Sequence, residues 1–450
     1  MRRILGLATF AAIAFSSSGA FAFIPDCAGP TGVTVAPDHR SASIIPDFFT
    51  PGFPAACKQS VDVPLPAGSF GVYKVDVRGF TAQVDGDKST YSVTVDGVIK
   101  TKVLKDEYLN DVEFTKYFGM GSGGSASFDP RFDLLVTGDL GSWSEIDTVD
   151  VLAAYTSLTS VQGSLTQIAS GETAIVTHLN ASAGLLAGAN QKLEGGNEIG
   201  LLGGVGSYML GVTARYNLSG GFSLLGGMSL VNQTEAGASI SGPLAVAAVR
   251  YVEPGINSFR LFGEGGLSIA GLGTTFTRHY ADGTPNGVTV TSSTEAALGS
   301  IYARGGVVIA PDDANEIVLS ATLEESLLGV TGYSETLGAA NLFPATFADR
   351  TGHFTTVKGT IAWTTDLVPN VDLTATASLG AVLAHDPVTA NVMFVGPVSG
   401  GGAGTLFAEY GLRLGWTPSP TTTIDGFLQG STGTGIGTHV QVGAGARMRF

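Results

Sequence analysis

Charge is scarce in this chain, and so are cysteine and long apolar runs. Charged residues make up 14% of the 450 residues, against about 25% in an average globular protein. The formal net charge of −15 argues against nucleic-acid binding, which needs a basic surface. After the first 22 residues there is no apolar run long enough for a membrane-spanning helix. A hydrophobic chain without such a helix can occupy a membrane as a closed β-barrel, because closure satisfies every backbone hydrogen bond.

Catalytic and metal-binding motifs are also absent from the sequence. There is no G-x-S-x-G, no H-E-x-x-H and no C-x-x-C. The glycine-rich stretch GMGSGGSAS at 119–127 is not followed by the Lys of a phosphate-binding loop, so it is interpreted as a flexible loop. We therefore expect no enzymatic activity, no catalytic residues, no metal site and no cofactor.

The first 22 residues, MRRILGLATFAAIAFSSSGAFA, combine two arginines, an apolar run and a final Ala-Phe-Ala. This pattern predicts a secretory signal peptide that is cleaved after Ala22. Export places the two cysteines, Cys27 and Cys57, in an oxidising compartment, where a disulfide between them is expected. Two free thiols are the alternative.

Charge density divides the remaining chain near residue 160. Residues 23–160 contain 18 acidic and 10 basic residues, whereas the much longer remainder contains 20 and 11. Within 23–157, Asp-Gly pairs at 85–86 and 96–97 separate runs of alternating polarity, which is a strong hairpin signal. FDLLVTG at 132–138 is a further strand, whereas residues 23–60 are Pro-rich without clear periodicity. We predict a small β-rich module of sandwich type over 23–157.

Strict alternation of apolar and polar residues dominates residues 196–450. HVQVGAGARMRF, at 439–450, is about twice as long as a usual globular strand, a length that suits the apolar band of about 25 Å of an outer-membrane barrel. Short turns alternate with long polar segments at 272–296, 334–352 and 386–403, as periplasmic turns and external loops do in such barrels. The fold class is therefore all-β, with a C-terminal antiparallel barrel of about twelve strands. They are predicted near 196–205, 207–218, 222–233, 243–253, 259–271, 297–310, 316–330, 354–367, 371–385, 404–417, 423–432 and 438–450.

Alternation also assigns side chains to the two faces of the barrel. Charges belong in the lumen, because on the lipid face they cost about 2–4 kcal/mol near the midplane. They either pair with one another along a hydrated pore wall or line a passage for polypeptide or solute. The outward aromatic residues Tyr216, Tyr251, Trp363, Trp416 and Phe450 are predicted to form an interfacial girdle. The predicted pore-lining residues are Arg215, Arg250, Arg260, Glu264, Arg304, Glu324, Lys358, Glu409, Arg413, Arg447 and Arg449.

The linker at 158–195 has a helical period in its first part. Leu165, Ile168, Ile175 and Leu179 recur at helix-like intervals, and a helix over 158–186 would be about 43 Å long. Such a helix could thread the pore, because its other face carries Ser, Thr, Gln and Asn. Glycines within the segment each cost roughly 1 kcal/mol in a helix, so a first barrel strand or an external linker remains an alternative.

The arrangement of signal peptide, N-terminal module, linker and barrel resembles that of autotransporters, the type V secretion proteins of Gram-negative bacteria. YMLGVTARYNLSGGFSLLGGMSL, at 208–230, resembles an early hairpin of their β-domains, and the ending VGAGARMRF resembles the signal read by the barrel-assembly machinery. The resemblance implies the assembly-signal residues Val440, Val442, Ala444, Ala446, Met448 and Phe450.

This resemblance implies an outer-membrane protein that exports or displays its own N-terminal module at the cell surface. Its implied partners are outer-membrane lipid, the barrel-assembly machinery and periplasmic chaperones. No paired asparagines mark a self-cleavage site, so no autocleavage is expected. The alternative is a static porin-like or structural barrel whose N-terminal module stays in the periplasm.

Overall fold

A computed structural model of the chain describes residues 33–35, 41–44, 55–60, 68–82, 88–95, 98–105, 110–120, 131–138 and 143–450, the last range without 190, 194, 207, 236, 256–257, 313 and 402–404. The contacts divide the chain into two compact units, one built mainly from residues before 154 and the other mainly from residues 154–450. The predicted signal peptide at 1–22 and Cys27 lie outside the described residues. Cys57 lies in a strand, but its side chain is not described, so the disulfide stays a prediction.

The described N-terminal strands are β1 (Val33–Val35), β2 (Ser41–Ile44), β3 (Ala55–Ser60), β4 (Ser69–Ala82), β5 (Lys88–Val95), β6 (Val98–Lys105), β7 (Asn110–Met120), β8 (Arg131–Gly138) and β9 (Trp143–Ser157). They form two sheets, with strand orders β1-β2-β9-β4-β7 and β3-β8-β5-β6. β5 and β6 pair on either side of the Asp-Gly at 96–97, with Val95 opposite Val98. β1, β2 and β3 lie in the Pro-rich segment that showed no periodicity, because strands of three to six residues are too short to display it.

A long helix, α1 (Leu158–Leu186), follows β9 and has the bounds that the sequence predicted. Ser157 is its N-cap residue, and its side chain accepts a hydrogen bond from Ser160 N at 3.1 Å. Of the glycines within α1, Gly171 lies closest to another element, because a Cβ there would meet Ala238 Cβ at 3.0 Å. The helix therefore needs a small residue at this position. Among the residues that the structure describes, no helix combines the length and the apolar character required to cross a membrane.

The second unit contains a closed antiparallel barrel of twelve strands, which confirms the predicted number and fold class. The chain closes the barrel by pairing its first barrel strand with its last, from Glu198 opposite Arg449 to Val205 opposite Val442. The twelve barrel strands are β10 (Glu198–Val205), β11 (Tyr208–Asn217), β12 (Phe222–Glu235), β13 (Ala238–Val252), β14 (Phe259–Tyr280), β15 (Val288–Asp312), β16 (Asn315–Val330), β19 (Arg350–Val368), β20 (Val371–His385), β23 (Thr405–Ser419), β24 (Thr422–Gly433) and β25 (Gly437–Arg449). Between them lie β17 (Tyr333–Ser334), β18 (Ala345–Phe347), β21 (Val388–Val392) and β22 (Gly396–Gly400).

The long polar segments are not the loops that the sequence predicted. Most of 272–296 belongs to a continuous hairpin of β14 and β15, which have 22 and 25 residues. This part of the hairpin alternates Thr and Ser with other residues, a composition that favours strands but does not suit a lipid-facing surface. The other two predicted loops contain β17, β18, β21 and β22, which pair in a four-stranded sheet of their own.

The two ends of the barrel differ in their connections. At one end, connections of two to six residues join β11 to β12, β13 to β14, β15 to β16, β19 to β20 and β23 to β24. We call this the turn end, and it also contains Glu198 and Arg449. At the opposite end, connections of two or three residues join β10 to β11, β12 to β13 and β24 to β25, and the projecting β14–β15 hairpin and the four-stranded sheet also lie there. We call this the extension end.

Candidate functional site

The barrel lumen contains α1, which runs from the extension end to the turn end. Gly171, near its middle, packs against the β12–β13 turn at the extension end. Near its C-terminus, Leu186 lies over Gly211 and Gly227, where a Cβ on either glycine would come within 3.2 Å of it. The 29 residues of the helix span about 43 Å, which exceeds the apolar band of about 25 Å. The helix therefore passes through the barrel and projects at the extension end.

Arginines of the barrel wall bind the chain where it leaves the helix at the turn end. Arg250 Nη2 donates to Ala187 O at 3.2 Å, and its Nε bonds to Glu264 at 2.6 Å. Arg215 Nη2 donates to Lys192 O at 3.3 Å. The C-terminus of a helix carries a partial negative charge, so guanidinium groups beside it are stabilising. These two predicted pore-lining residues therefore anchor the helix end.

A second group of ion pairs joins strands across the closing seam. Arg447 of β25 pairs with Glu198 of β10 at 3.2 Å and with Asp425 of β24 at 2.7 Å. Arg413 shares Asp425 at 2.6 Å and pairs with Asp372 at 2.6 Å. Because each of these charged groups has a neighbour of opposite sign, ion pairs connect β10, β25, β24, β23 and β20 along the inner wall.

Uncharged polar side chains hold the middle of the inserted helix. Asn180 donates from Nδ2 to Ser326 Oγ at 3.1 Å and accepts from Ser300 Oγ at 3.1 Å. His178 Nε2 lies 2.7 Å from Ser431 Oγ. A polar face of α1 thus meets a polar barrel wall, as the linker composition predicted.

Arg278, on the projecting part of β14, links the extension end to the helix. Its Nε donates to Glu335 Oε1 at 2.6 Å and its Nη2 to Phe343 O at 2.8 Å. Its Nη1 donates to Ser164 Oγ on α1 at 3.3 Å. The guanidinium group is almost completely buried, at 1% exposure. One side chain therefore binds the hairpin, the segment after β16 and the helix together.

A second ion pair at the extension end joins the helix directly to the barrel rim. Arg350, the first residue of β19, donates from both Nε and Nη2 to Glu172 Oε1 on α1, the former at 2.9 Å. Gly401 N donates to Thr166 Oγ1 on α1 at 3.0 Å. The helix is thus held on two sides of the rim.

The tip of the β14–β15 hairpin also touches the start of the helix. Ala281 N donates to Ser160 Oγ at 2.7 Å. Beside it, Tyr280 donates its hydroxyl hydrogen to Asn341 Oδ1 at 2.9 Å. Burial raises the pKa of Tyr280 to about 12, further above neutral pH than that of an ordinary phenol, which is already protonated there. The first turns of α1 therefore lie among ordered strands.

The predicted pore-lining residues occupy the inner face of the barrel wall, apart from Arg449. Arg449 has the same alternation phase as Arg447, but it is exposed at the turn end because it forms the last pair of the closing seam. The buried interior residues are Arg215, Arg250, Arg260, Glu264, Glu324, Arg413 and Arg447, and the half-buried ones are Arg304, Lys358 and Glu409.

Several interior charges were missed by sequence reasoning. Arg278, Glu335 and Arg350 lie in segments that were predicted as polar loops, where no alternation was sought. Asp425 could have been found, because Ile424, Gly426 and Leu428 face outward around it and leave it on the inner side.

The outer face of the barrel is apolar and exposed. The predicted assembly-signal residues Val440, Val442, Ala444, Ala446 and Met448 lie on this face of β25, and Phe450 is also exposed. Of the predicted girdle, Tyr216, Tyr251, Trp363 and Trp416 are 37–52% exposed near the turn end. A closed barrel with a polar interior and an apolar belt has the architecture of an outer-membrane β-barrel.

No protein-family model matches the chain, and no curated protein matches it. Among solved structures, the barrel is similar to the translocator domain of the autotransporter NalP from Neisseria meningitidis, at 14% identity over 62% of this chain and 97% of that one, with a TM-score of 0.42. It is also similar to the transport unit of the autotransporter AIDA-I from Escherichia coli, at 11% identity over 60% and 98%, with a TM-score of 0.38. A porin, KdgM, is similar at 14% identity over 57% and 99%, with a TM-score of 0.26. At these identities the likeness concerns the barrel fold alone.

Proposed function

We propose that this protein is an autotransporter-type barrel of the outer membrane of a Gram-negative cell, which exports its own N-terminal module to the cell surface. In this proposal α1 is the last part of the exported segment and remains in the lumen after transport. No nucleotide is required, because folding of the module outside the membrane favours outward movement. The N-terminal module has a display role and no enzymatic activity of its own.

The direction of α1 is the observation that carries the proposal. Tight turns of outer-membrane barrels face the periplasm, and longer connections face outward. With this orientation the turn end is periplasmic, and Leu186 lies toward it. Leu158 then lies on the outer side, so the chain before it enters the helix from outside the cell.

The anchors of α1 support its role as a transport end state. At the turn end, Arg250 and Arg215 bind carbonyl groups that follow the helix. At the extension end, Arg278 and Arg350 bind side chains of the helix itself. A segment held at both ends stays in the pore and seals most of it once the module has passed.

Assembly of such a barrel requires its last strand to close against its first. β25 pairs with β10 along the whole of the shorter strand, and Arg447 adds an ion pair to Glu198 across this seam. We propose that periplasmic chaperones deliver the chain and that the barrel-assembly machinery binds the outward apolar residues of β25. The surrounding outer-membrane lipid then covers these residues.

A static porin-like barrel with a periplasmic module is the second candidate, and a polar cavity beside α1 favours it. The cavity has a volume of about 130 Å³. In this candidate the extension end, where the helix begins, would have to face the periplasm, and the turn end would have to face outward.

An epitope tag in the N-terminal module tests the proposal in living cells. The tag is inserted between Val95 and Val98, at the β5–β6 hairpin turn, in the full-length protein. We expect an antibody to label intact cells, because the module lies outside. The matched control carries the same tag between Val368 and Val371, at the β19–β20 turn, and we expect labelling only after the outer membrane is permeabilised.

Two results would contradict the proposal. A module tag that stays hidden until permeabilisation would favour the periplasmic candidate. A turn-end tag that is labelled in intact cells would reverse the assigned orientation of the barrel.

A further inference from the structure

α1 does not fill the whole lumen beside its C-terminal half. A cavity of about 130 Å³ remains between the helix and the wall formed by β14, β15, β16, β19, β20, β23, β24 and β25. At about 30 Å³ per molecule it has room for roughly four waters. Hydroxyl and amide groups lie between apolar atoms in its neutral lining, and they belong to Asn180, Thr322, Thr360, Ser378, Gln429 and Ser431. These groups can donate hydrogen bonds to water and accept them from it.

Two carboxylates that line this cavity are compensated by neighbouring side chains. Glu264 bonds to Arg250 at 2.6 Å and accepts from the Tyr302 hydroxyl group at 2.9 Å. Glu409 pairs with Lys358 at 2.8 Å. These groups add little net charge to the cavity.

Glu324 differs from those two carboxylates. It lines the same cavity and is only 8% exposed. Among the described residues its carboxylate has no hydrogen bond or ion pair, and it is attracted only by the Lys358 ammonium, whose ion pair is with Glu409. A buried carboxylate of this kind is costly unless another charge or a hydrogen-bond donor approaches it.

Arg304 is the matching cation on the neighbouring strand. Its Nε donates to Ser320 Oγ at 3.1 Å, and its guanidinium lies 5.3 Å from the centre of the Phe262 ring. No further hydrogen bond of this guanidinium is found among the described residues. Tyr302 is opposite Glu324 in the register, so Arg304 and Glu324 lie two positions apart along adjacent strands. They form no ion pair with each other among the described contacts, and both side chains line the cavity. Glu264 also attracts the Arg304 guanidinium.

We propose that this cavity is a hydrated passage for small inorganic ions beside the helix, in which Glu324 binds cations and Arg304 binds anions. The protein compensates these two charges only in part, because Lys358 is shared between Glu324 and Glu409, and Glu264 between Arg304 and Arg250. Mobile ions with their water supply the rest. Charged side chains in a narrow pore set its ionic preference, and weak binding lets ions leave again. This inference does not depend on whether the N-terminal module is exported.

Reversal potentials measured in planar lipid bilayers test the inference on the full-length protein. The membrane separates two KCl solutions of different concentration, and the reversal potential gives the permeability ratio of K⁺ to Cl⁻. We expect Glu324→Gln to lower this ratio about twofold or more and Arg304→Gln to raise it by a similar factor. The opposite signs are the distinguishing result, because a general loosening of the barrel would move both variants in the same direction.

Glu325→Gln is the matched control. Glu325 is the next residue on β16, but it faces outward and accepts a hydrogen bond from Thr355 Oγ1 at 2.7 Å. We expect this variant to keep the permeability ratio of the unaltered protein. Absence of ion conductance, unchanged ratios in the two cavity variants, or an equal shift in Glu325→Gln would overturn the inference. If either cavity variant fails to fold, as judged by its heat-dependent gel mobility, the sign of the shift in the other decides.

Discussion

The two halves of α1 are held in different ways. The outer half, 158–170, buries one face and leaves the other exposed, because it lies against strands on one side only. The inner half is surrounded by the barrel wall, and 171–179 is buried on every side. A hydrogen bond from Arg278 to Ser164 holds the outer half, and the Arg350–Glu172 ion pair lies at the start of the inner half. Uncharged hydrogen bonds and the cavity border the rest of the inner half. The outer half is thus an amphipathic helix with one exposed face, whereas the inner half fills the lumen and contacts its polar wall.

Removal of Arg278, which binds Glu335 and the helix at the extension end, should give the largest loss of stability. Arg278→Ala leaves the buried Glu335 without its partner, which typically costs about 3–5 kcal/mol. We expect a corresponding drop in the free energy of unfolding, measured by chemical denaturation in detergent, and faster proteolysis of 331–349. The double variant Arg278→Met with Glu335→Gln removes both charges, so it should lose much less. An equal loss in both proteins would mean that the ion pair is not responsible.

A larger side chain at Gly171, where the helix contacts the rim of the barrel, should give a smaller loss of stability. Gly171→Val adds a side chain whose Cβ would lie 3.0 Å from Ala238 Cβ and 3.4 Å from Gly237 O. Overpacking of this kind costs about 1–3 kcal/mol. Denaturation in detergent measures the loss, and tolerance of valine at full stability would contradict the close approach.

The inner half should respond weakly to the loss of a single hydrogen-bonding side chain. Asn180→Ala removes the bonds to Ser300 and Ser326, but these two hydroxyl groups lie 2.8 Å apart and can still bond to each other. We expect a loss of about 1 kcal/mol in the free energy of unfolding. A loss as large as that of Arg278→Ala would show that the two halves are anchored equally strongly.

A substitution at Gly163, on the exposed side of the outer half, should have the smallest effect and should increase stability. Apart from its own helical turn, no atom of the described residues lies within 4 Å of a Cβ added to Gly163. Gly163→Ala should therefore stabilise the protein by up to about 1 kcal/mol, because alanine has the higher helix propensity. A destabilised variant would mean that this face of the helix is covered.

Local periodicity explains which features the sequence could predict. Alternation identified twelve barrel strands and the inward position of Arg413 and Glu264, because lipid on one face and water on the other constrain every residue. The helical period likewise gave 158–186 its correct bounds. Both signals repeat within a few residues, so one sequence is sufficient to detect them.

Contacts between distant segments were not predictable in the same way. Arg278 and Glu335 are 57 residues apart, and Glu172 and Arg350 are 178 apart. The strands that project beyond the barrel do not face lipid, so they can carry polar residues on both faces. Without alternation, the sequence predicted these segments as loops. The hydrated cavity depends on how far α1 fills the lumen, which no local pattern records.

The unequal lengths of the barrel strands have a consequence for the surrounding membrane. β10 has eight residues, whereas β14 has 22. At the usual rise and tilt, eight residues give a wall about 20 Å high, lower than the apolar band of about 25 Å. Lipid beside β10 must therefore thin to match the wall, whereas lipid beside β14 need not. The bilayer is therefore thinner on the β10 side of the barrel than on the β14 side. Neighbouring membrane proteins then encounter a different bilayer thickness on each side of the barrel.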